Sequence, residues 1–440
     1  MKKSKYNFFI PFDYDNTKMI AYNSRSNGGA LISKNNYNKY LDFVNKDIPI
    51  DDDKFLEDLK KGFFLINDDI DELKILRYNL LRDKFNTRSL AFTIAPTSDC
   101  NFRCVYCYEK DAIKPTYMLK EEQDRIINLV KDNVKYIHSL NITWYGGEPL
   151  LAFDAIEYLS EEFIKLCEEF NVNYSAGIIT NGYLLTKDKL EKFKRFHINF
   201  MQITLDGTAE HHNISRPHKD KVPTYEKIIS NLEENYSILP QVALRINVDK
   251  SNIDSGVSIL NELIKKGMCG RISPYMARIV DDNNCYDCNK CIDKFNFLNK
   301  EFEFYVSSSE LTNPTSKYPT LRTAYCGADR NNSFIINADG KLYKCWTDIG
   351  REDRSIGKNI DSVDITNKTF LDYLLYDPTQ DEKCSECKFL PICMGSCPFR
   401  RITDEPERCT NYKYELKNYL NHEFKVQLDR REKIEKEKAC

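Results

Sequence analysis

Three cysteines stand close together in the run Cys100-Asn-Phe-Arg-Cys104-Val-Tyr-Cys107. Thiolates spaced C-x3-C-x2-C hold three corners of a [4Fe–4S] cluster and leave the fourth iron without a protein ligand, open to a small chelating molecule. The competing occupant is zinc, which usually takes four ligands in paired C-x2-C or Cys/His spacing; no histidine lies within reach in sequence. A longer series follows: Cys326, Cys345, Cys384, Cys387, Cys393, Cys397 and Cys409. Seven thiolates suit two clusters if one ligand set is incomplete, or one or two structural zinc sites. A third group, Cys285-x2-Cys288-x2-Cys291, is tight enough for metal, but three cysteines alone do not name it. Of sixteen cysteines, only Cys167, Cys269 and Cys440 stand apart from these groups.

The chain that must position these thiols has 440 residues and a formal net charge of −3, enough length for two or three domains. Hydrophobic residues make up 41% and charged residues 30%, an ordinary soluble balance. In a small secreted chain so many cysteines would read as disulfides; in a long chain with no export signal they read as metal ligands. The N-terminus has lysines but an apolar run of only Phe8 to Ile10, short of the roughly 7–15 apolar residues of a secretory signal. No stretch approaches the ~18 apolar residues of a membrane span. The expectation is a cytoplasmic protein with no membrane partner. The near-neutral charge also lacks the basic stripe of a nucleic-acid binder, so no nucleic-acid partner is expected.

Before the first cysteine, short strands are expected over 6–12, 19–23, 30–33 and 63–67, and helices over 35–44, 54–61 and 71–85, the last from the stripe Leu73, Leu76, Leu80, Leu81. From 90 to about 309 the pattern alternates. Strands are expected over 90–96, 141–145, 176–180, 199–205, 242–248 and 271–275, and helices over 119–138, 153–170, 186–196, 224–238, 255–267 and 290–304. Repeated βα units predict a parallel sheet with helices outside. Six units are too few to close an eight-stranded barrel, so a partial barrel is expected, with ligands at the C-terminal ends of its strands. Arg245 and Asn247 alternate with Leu244, Ile246 and Val248, which puts the two polar groups on one face of the fifth strand. Past 310 helical periodicity weakens, and the seven cysteines fall among Gly, Pro and Asp, as in a chain folded around metal. Residues 410–440 are charged and helical.

On the C-x3-C-x2-C run at the end of the first strand the sequence resembles the radical S-adenosylmethionine (SAM) superfamily. The resemblance implies an oxidoreductase in which SAM chelates the open iron, is cleaved by an electron from the cluster, and yields a 5′-deoxyadenosyl radical that takes a hydrogen from substrate. Gly146-Gly147-Glu148-Pro149 after the second strand matches the segment that binds SAM's amino group, through backbone at Gly147 and through the Glu148 carboxylate. Tyr106 matches the residue that contacts adenine. Thr180-Asn181-Gly182 ends the third strand; Thr204-Leu-Asp206-Gly207 ends the fourth, and Arg216 follows. In related maturases the positions of Thr204 and Arg216 contact SAM, and Arg suits a carboxylate. Asn181 and Arg245 join the candidate cofactor contacts. No catalytic residue is named by the resemblance.

The seven later cysteines match the SPASM pattern of radical SAM peptide and protein maturases. That resemblance implies Cys384, Cys387, Cys393 and Cys409 on one auxiliary cluster and Cys326, Cys345 and Cys397 on the other, so that the chain carries three [4Fe–4S] clusters. Some sulfatase maturases have a further cysteine where this chain has Asn332, and a catalytic Asp where it has Trp346; both differences count against formylglycine formation. The group at Cys285, Cys288 and Cys291 would supply a missing ligand, hold a further metal, or be idle. The expected architecture is α/β: a winged-helix-like leader-peptide recognition domain over 1–89, a partial (β/α)6 radical SAM barrel over 90–309, and a SPASM domain with a C-terminal helix over 310–440. The expected activity is the installation of thioether cross-links, cysteine sulfur to carbon, in a cysteine-rich ribosomal precursor peptide with a leader, fed by a reducing partner such as flavodoxin or ferredoxin. Alternatives are an anaerobic sulfatase-type maturase, a peptide carbon–carbon cross-linking or epimerising enzyme, and, in another class, a non-catalytic iron–sulfur electron carrier.

Overall fold

The computed structural model describes residues 1–281, 285–311, 316–405 and 408–439. By its internal packing the chain divides into two units: Met1–Lys84 with Ser316–Asp329 and Leu375–Cys440, and Phe85–Thr315 with Arg330–Leu374.

The first unit begins with strands β1 (Lys2–Lys3), β2 (Asn7–Pro11), β3 (Lys18–Asn23) and β4 (Gly28–Ser33), then helices α1 (Lys34–Lys46) and α2 (Asp53–Lys61), strand β5 (Leu65–Ile66) and helix α3 (Glu72–Lys84). Strands β2, β3 and β4 form an antiparallel sheet in that order, and β1 pairs with β5. Helix starts follow from capping: Ser33 accepts from Asn36 N and Asp52 from Phe55 N. Strand β3 is buried along nearly its whole length because its alternating side chains serve two cores. Ala21 joins Tyr40, Phe55 and Leu59 from α1 and α2. Ile20 and Tyr22 join Leu416, Leu420 and Phe424 of the helix Tyr412–Ala439.

The second unit is a sheet with helices. Its strands are β6 (Ser89–Ile94), β7 (Ser139–Trp144), β8 (Asn173–Ile179), β9 (Ile198–Thr204), β10 (Gln241–Val248) and β11 (Ile272–Arg278). Neighbours pair in parallel in sequence order. Connecting helices are α4 (Lys120–Asn133), α5 (Phe153–Glu169), α6 (Lys187–Arg195), α7 (Ala209–Ser215), α8 (Tyr225–Glu234) and α9 (Gly256–Lys265), and α10 (Lys294–Leu311) follows the last strand. On β6 the alternation Leu90, Phe92, Ile94 joins one hydrophobic core with Ile126, Val130 and Phe163 of the helices. All six expected strands and six expected helices of this region are present. The short α7 was not expected, because its sequence Ala-Glu-His-His-Asn-Ile-Ser has no apolar periodicity; it starts where Thr208 accepts from His211 N.

The sheet is longer than the βα pattern foretells. Strand β12 (Ser333–Ile336) lies parallel against β6, and β13 (Leu342–Tyr343) pairs antiparallel with β12. The sheet order is β11-β10-β9-β8-β7-β6-β12-β13, an open sheet with β11 and β13 at its edges. Four- and two-residue strands carry too little alternation to be read from sequence. Among the described residues no helix is long and apolar enough to cross a membrane.

Candidate active site

The loop after β6 carries Cys100, Cys104 and Cys107, and backbone bonds pin it: Arg103 N–H donates to Pro217 O at 2.8 Å and Val105 N–H to Ser215 O at 2.9 Å. The Arg103 guanidinium donates to the carbonyls of Cys100 and Phe102 at 2.6 and 2.7 Å. All three cysteines line one cavity of about 260 Å³ at the C-terminal ends of the strands. Burial pushes the three thiols up, that of Cys100 to about 12, and neighbouring anions add to the shift at Cys100 and Cys107. Thiols held protonated by burial become ligands only when a metal displaces the proton. Three such thiols lining one cavity fit a [4Fe–4S] cluster with an open iron.

Beside them runs a chain of polar side chains from the strand ends. The Tyr106 hydroxyl donates to Asp206 Oδ2 at 2.5 Å and accepts from Arg216 Nη1 at 2.8 Å and Asn247 Nδ2 at 2.9 Å. Arg245 Nε donates to Asn247 Oδ1 at 2.7 Å. Asp206 Oδ2 also accepts from Ser215 Oγ at 3.0 Å, and its backbone N–H donates to His212 Nδ1 at 3.1 Å. Asp206 Oδ1 and Arg216 Nε are buried without a hydrogen-bond partner among the described residues. Tyr106, Gly147, Asn181, Thr204, Arg216 and Arg245 all line the cavity, so these expected contacts are brought together. Arg245 and Asn247 face it, while Leu244, Ile246 and Val248 join the hydrophobic core.

Residues 94–250 match the family model of the radical SAM superfamily. The chain carries a radical SAM domain. It is an enzyme of radical SAM chemistry. A cysteine-type anaerobic sulfatase-maturating enzyme of Clostridium novyi (strain NT) is 26% identical over 353 residues, covering 70% of this chain and 88% of that protein. The solved structure of native anSMEcpe with bound AdoMet aligns with TM-score 0.59 at 18% identity, covering 78% of this chain and 100% of that one. Streptococcus suis SuiB bound to its precursor peptide SuiA aligns with TM-score 0.53 at 16% identity, covering 92% of this chain and 97% of that one. At these identities the structural likenesses show a shared mixed α/β fold.

Within the radical SAM domain the Gly-Gly-Glu-Pro turn has a steric logic. Gly146 has φ +112°, and a Cβ on Gly147 would lie 2.2 Å from the Asp99 carbonyl oxygen, so only glycine lets this turn approach the cysteine loop. Glu148 stands behind the turn, 0% exposed. Its carboxylate accepts from Leu150 N at 3.1 Å, Thr180 Oγ1 at 2.7 Å and Asn181 N at 2.8 Å, and it is absent from the cavity lining. Its oxygens tie the turn after β7 to the turn after β8. The Asn181 amide is likewise engaged: Nδ2 donates to Asn101 Oδ1 at 2.8 Å, and Oδ1 accepts from Tyr183 N at 2.9 Å.

In a third part of the lining only Trp346 was singled out by the sequence. Tyr145 and Trp346 stack with ring centroids 4.9 Å apart and planes at 23°. The Tyr145 hydroxyl hydrogen-bonds to that of Tyr108. Glu109 is 6% exposed, its Oε1 has no partner among the described residues, and burial pushes its carboxyl up to about 7. These residues come from three separate segments, and only adjacency to Cys107 hints at Glu109. Cys285 lines the same cavity, with its Sγ 3.5 Å from the Tyr106 carbonyl oxygen. The side chain of Cys288 lies outside the described residues.

Of the later cysteines, Cys326, Cys384, Cys387, Cys393, Cys397 and Cys409 belong to the first unit and Cys345 to the second. In the first unit, burial raises the Cys393 thiol, and Cys387 and Cys409 raise it further. Burial pushes Cys384 to about 11, with Cys393 among the anions that add to it. Burial likewise pushes Cys326 to about 12, with Cys397 adding. Among the described residues no three His, Cys, Asp or Glu side chains close around a single ion. In the second unit, Trp346 lines the cavity, whereas Asp348 is 0% exposed and accepts from the Tyr373 hydroxyl at 2.7 Å.

Proposed function

We propose that this radical SAM enzyme installs thioether cross-links in a ribosomally made, cysteine-rich precursor peptide. The observation that carries the reading is the cavity wall at Trp346. The position after Cys345, where the resemblance to sulfatase maturases would put a catalytic Asp, instead gives an indole stacked on Tyr145, and the nearby Asp348 is buried away from the cavity. The peptide-bound SuiB structure supports a peptide substrate.

The roles are these. Cys100, Cys104 and Cys107 would hold the first cluster, which with SAM bound would supply the radical chemistry that takes a hydrogen from the substrate. Gly147, Asn181, Thr204, Arg216 and Arg245, with Tyr106, shape the cofactor site, and Arg216 and Arg245 bring the positive charge that suits a carboxylate. The seven later cysteines hold two auxiliary [4Fe–4S] clusters, and a flavodoxin- or ferredoxin-type protein in the cytoplasm supplies electrons. The leader docks on residues 1–89 as an added strand. In the first unit a groove of about 820 Å³ beside β2, lined by Phe9, Tyr40 and Val44 and rimmed by Lys2, Lys3 and Lys5, suits an extended peptide. A second reading, formylglycine formation, draws on the Clostridium novyi relative.

The test is mass spectrometry of a cysteine-rich peptide encoded beside the gene, after anaerobic incubation with reconstituted enzyme, SAM and dithionite. A thioether removes two hydrogens per cross-link and keeps every sulfur. Loss of a cysteine sulfur would instead select the second reading, and a mass unchanged in ordinary water but raised by solvent deuterium when the reaction is run in deuterated water would select epimerisation.

A further inference from the structure

A buried ion pair joins two of the later cysteine turns in the first unit. Arg401 Nη2 donates to Asp329 Oδ1 at 2.5 Å, and the two side chains are 2% and 3% exposed. Asp329 belongs to the turn after Cys326. Its backbone N–H donates to the Cys326 carbonyl at 3.2 Å, and its Oδ2 accepts from Tyr325 N at 3.1 Å. Arg401 follows Cys397, whose carbonyl accepts from the Arg401 backbone N–H at 3.1 Å. The Arg401 Nη1 donates to Ser396 O at 2.7 Å and to Met394 O at 3.4 Å. Met394, Gly395 and Ser396 all have positive φ, +46°, +79° and +68°. Such a bend is costly at its two non-glycine positions unless its surroundings hold it. Arg401 holds it from both carbonyls, and so fixes Cys397 relative to Cys393.

A buried ion pair by itself is weak evidence for stability, because apolar groups of the same volume often serve as well. Its surroundings point to a role in charge. Arg401 has a donor to spare: Nε is buried with no hydrogen-bond partner among the described residues, as suits an anionic neighbour that the protein does not supply. Lys84, 2% exposed, adds a second cation. It donates to the carbonyl of Tyr376 at 2.6 Å, and the Tyr376 ring carries the Arg401 guanidinium at 4.1 Å. Asp377, also near Lys84, is paired with Arg77 at 3.0 Å. Arg401, Asp329 and Cys397 all act electrostatically on Cys326. An iron–sulfur cluster gains a negative charge on reduction, so a fixed cation nearby favours the reduced state and a carboxylate disfavours it. We propose that the Asp329–Arg401 pair sets the reduction potential of the auxiliary cluster assigned to Cys326 and Cys397, Arg401 raising it and Asp329 limiting the rise. The inference rests on the auxiliary-cluster reading and holds whichever bond the enzyme makes in its peptide.

The test uses the full chain with Cys100, Cys104 and Cys107 replaced by Ala, reconstituted anaerobically and counted for iron, so that only auxiliary clusters are read. Redox titration is followed by electron paramagnetic resonance, and the signal altered by Cys397→Ala identifies the cluster. Asp329→Asn keeps the size of the side chain and leaves the Arg401 cation unopposed. It raises the potential of that cluster by about tenfold in the reduction equilibrium, about 59 mV for one electron. Adding Arg401→Met removes the cation and brings the potential back down toward the starting value. A purely structural pair gives no such reversal, because the second substitution then loses iron or shifts the potential further the same way. An unmoved potential in Asp329→Asn, iron lost from that single variant, or a double variant at or above the single one would each overturn the proposal. If the double variant holds no cluster, Asp329→Asn alone decides. Absence of any auxiliary signal before these substitutions would overturn the auxiliary-cluster reading and this inference with it, whereas a signal that does not move overturns the inference alone.

Discussion

His212 shows how one buried side chain sets a pH limit on this fold. Its Nδ1 accepts from the Asp206 backbone N–H, and burial, with Arg216 and His211 adding, holds its pKa well below the ordinary 6.5. The native imidazole is therefore neutral, while the unfolded chain takes up a proton as pH drops below about 6.5. Stability that is full above that pH is lost as pH falls, by about 1.4 kcal/mol per pH unit while the native ring stays neutral. His212→Asn keeps an acceptor and removes the titration. Denaturant midpoints of cluster-free protein should fall less steeply in this variant than in wild type between about pH 6.5 and 5.5; equal slopes would assign the pH dependence elsewhere. At this scale the cluster cysteines were legible because their chemistry is written in spacing. The shared cavity of Glu109 and Trp346 was not, because they join one lining only after three segments fold together.

Among the elements, the glycine turn after β7 is the tightest joint of the site. A Cβ on Gly147 would meet backbone, the Asp99 carbonyl, which cannot rotate away as a flexible side chain would. Gly147→Ala should cost about 1–3 kcal/mol, the usual range for overpacking. It should also displace the neighbouring cysteine loop, read as a lower thermal midpoint together with reduced iron uptake. A second element carries the first unit. The helix Tyr412–Ala439 buries Leu420 against the sheet face of Ile20 and Tyr22. Leu420→Ala should destabilise the protein by about 2–5 kcal/mol, measured as a shift in denaturant midpoint. The amphipathic helices α4 to α6 were legible from their apolar stripes. The packing of this charged C-terminal helix on β3 was not, since its partner strand lies some four hundred residues away in sequence.

At the scale of the molecule, the number of clusters decides how the irregular C-terminal region is held. Among the described residues between Asp381 and Cys409 the only helices have four or five residues, so bound metal should supply much of this segment's order. Anaerobically reconstituted protein should carry about twelve irons, as three [4Fe–4S] clusters require. Replacing Cys100, Cys104 and Cys107 with Ala should remove about four of them and abolish 5′-deoxyadenosine formation, leaving the rest in place. Stripping iron with a chelator should open the segment around Cys384–Cys409 to protease before the parallel sheet is cut. Zinc in place of iron would refute the three-cluster count.

The sequence by itself determined that thiols would gather at a strand end, that six βα units would make a parallel sheet, and that Arg245 and Asn247 would share a face. Each of these is local: a spacing, a period of two, a period of 3.6. Tertiary structure alone decided that β12 would extend the sheet beside β6, that Glu148 would face Thr180 and Asn181 rather than the cavity, and that Glu109, Tyr145 and Trp346 would line one cavity with Cys285. These depend on which distant segments meet, and the free energy that selects such meetings is burial summed over the whole core rather than any residue's own preference.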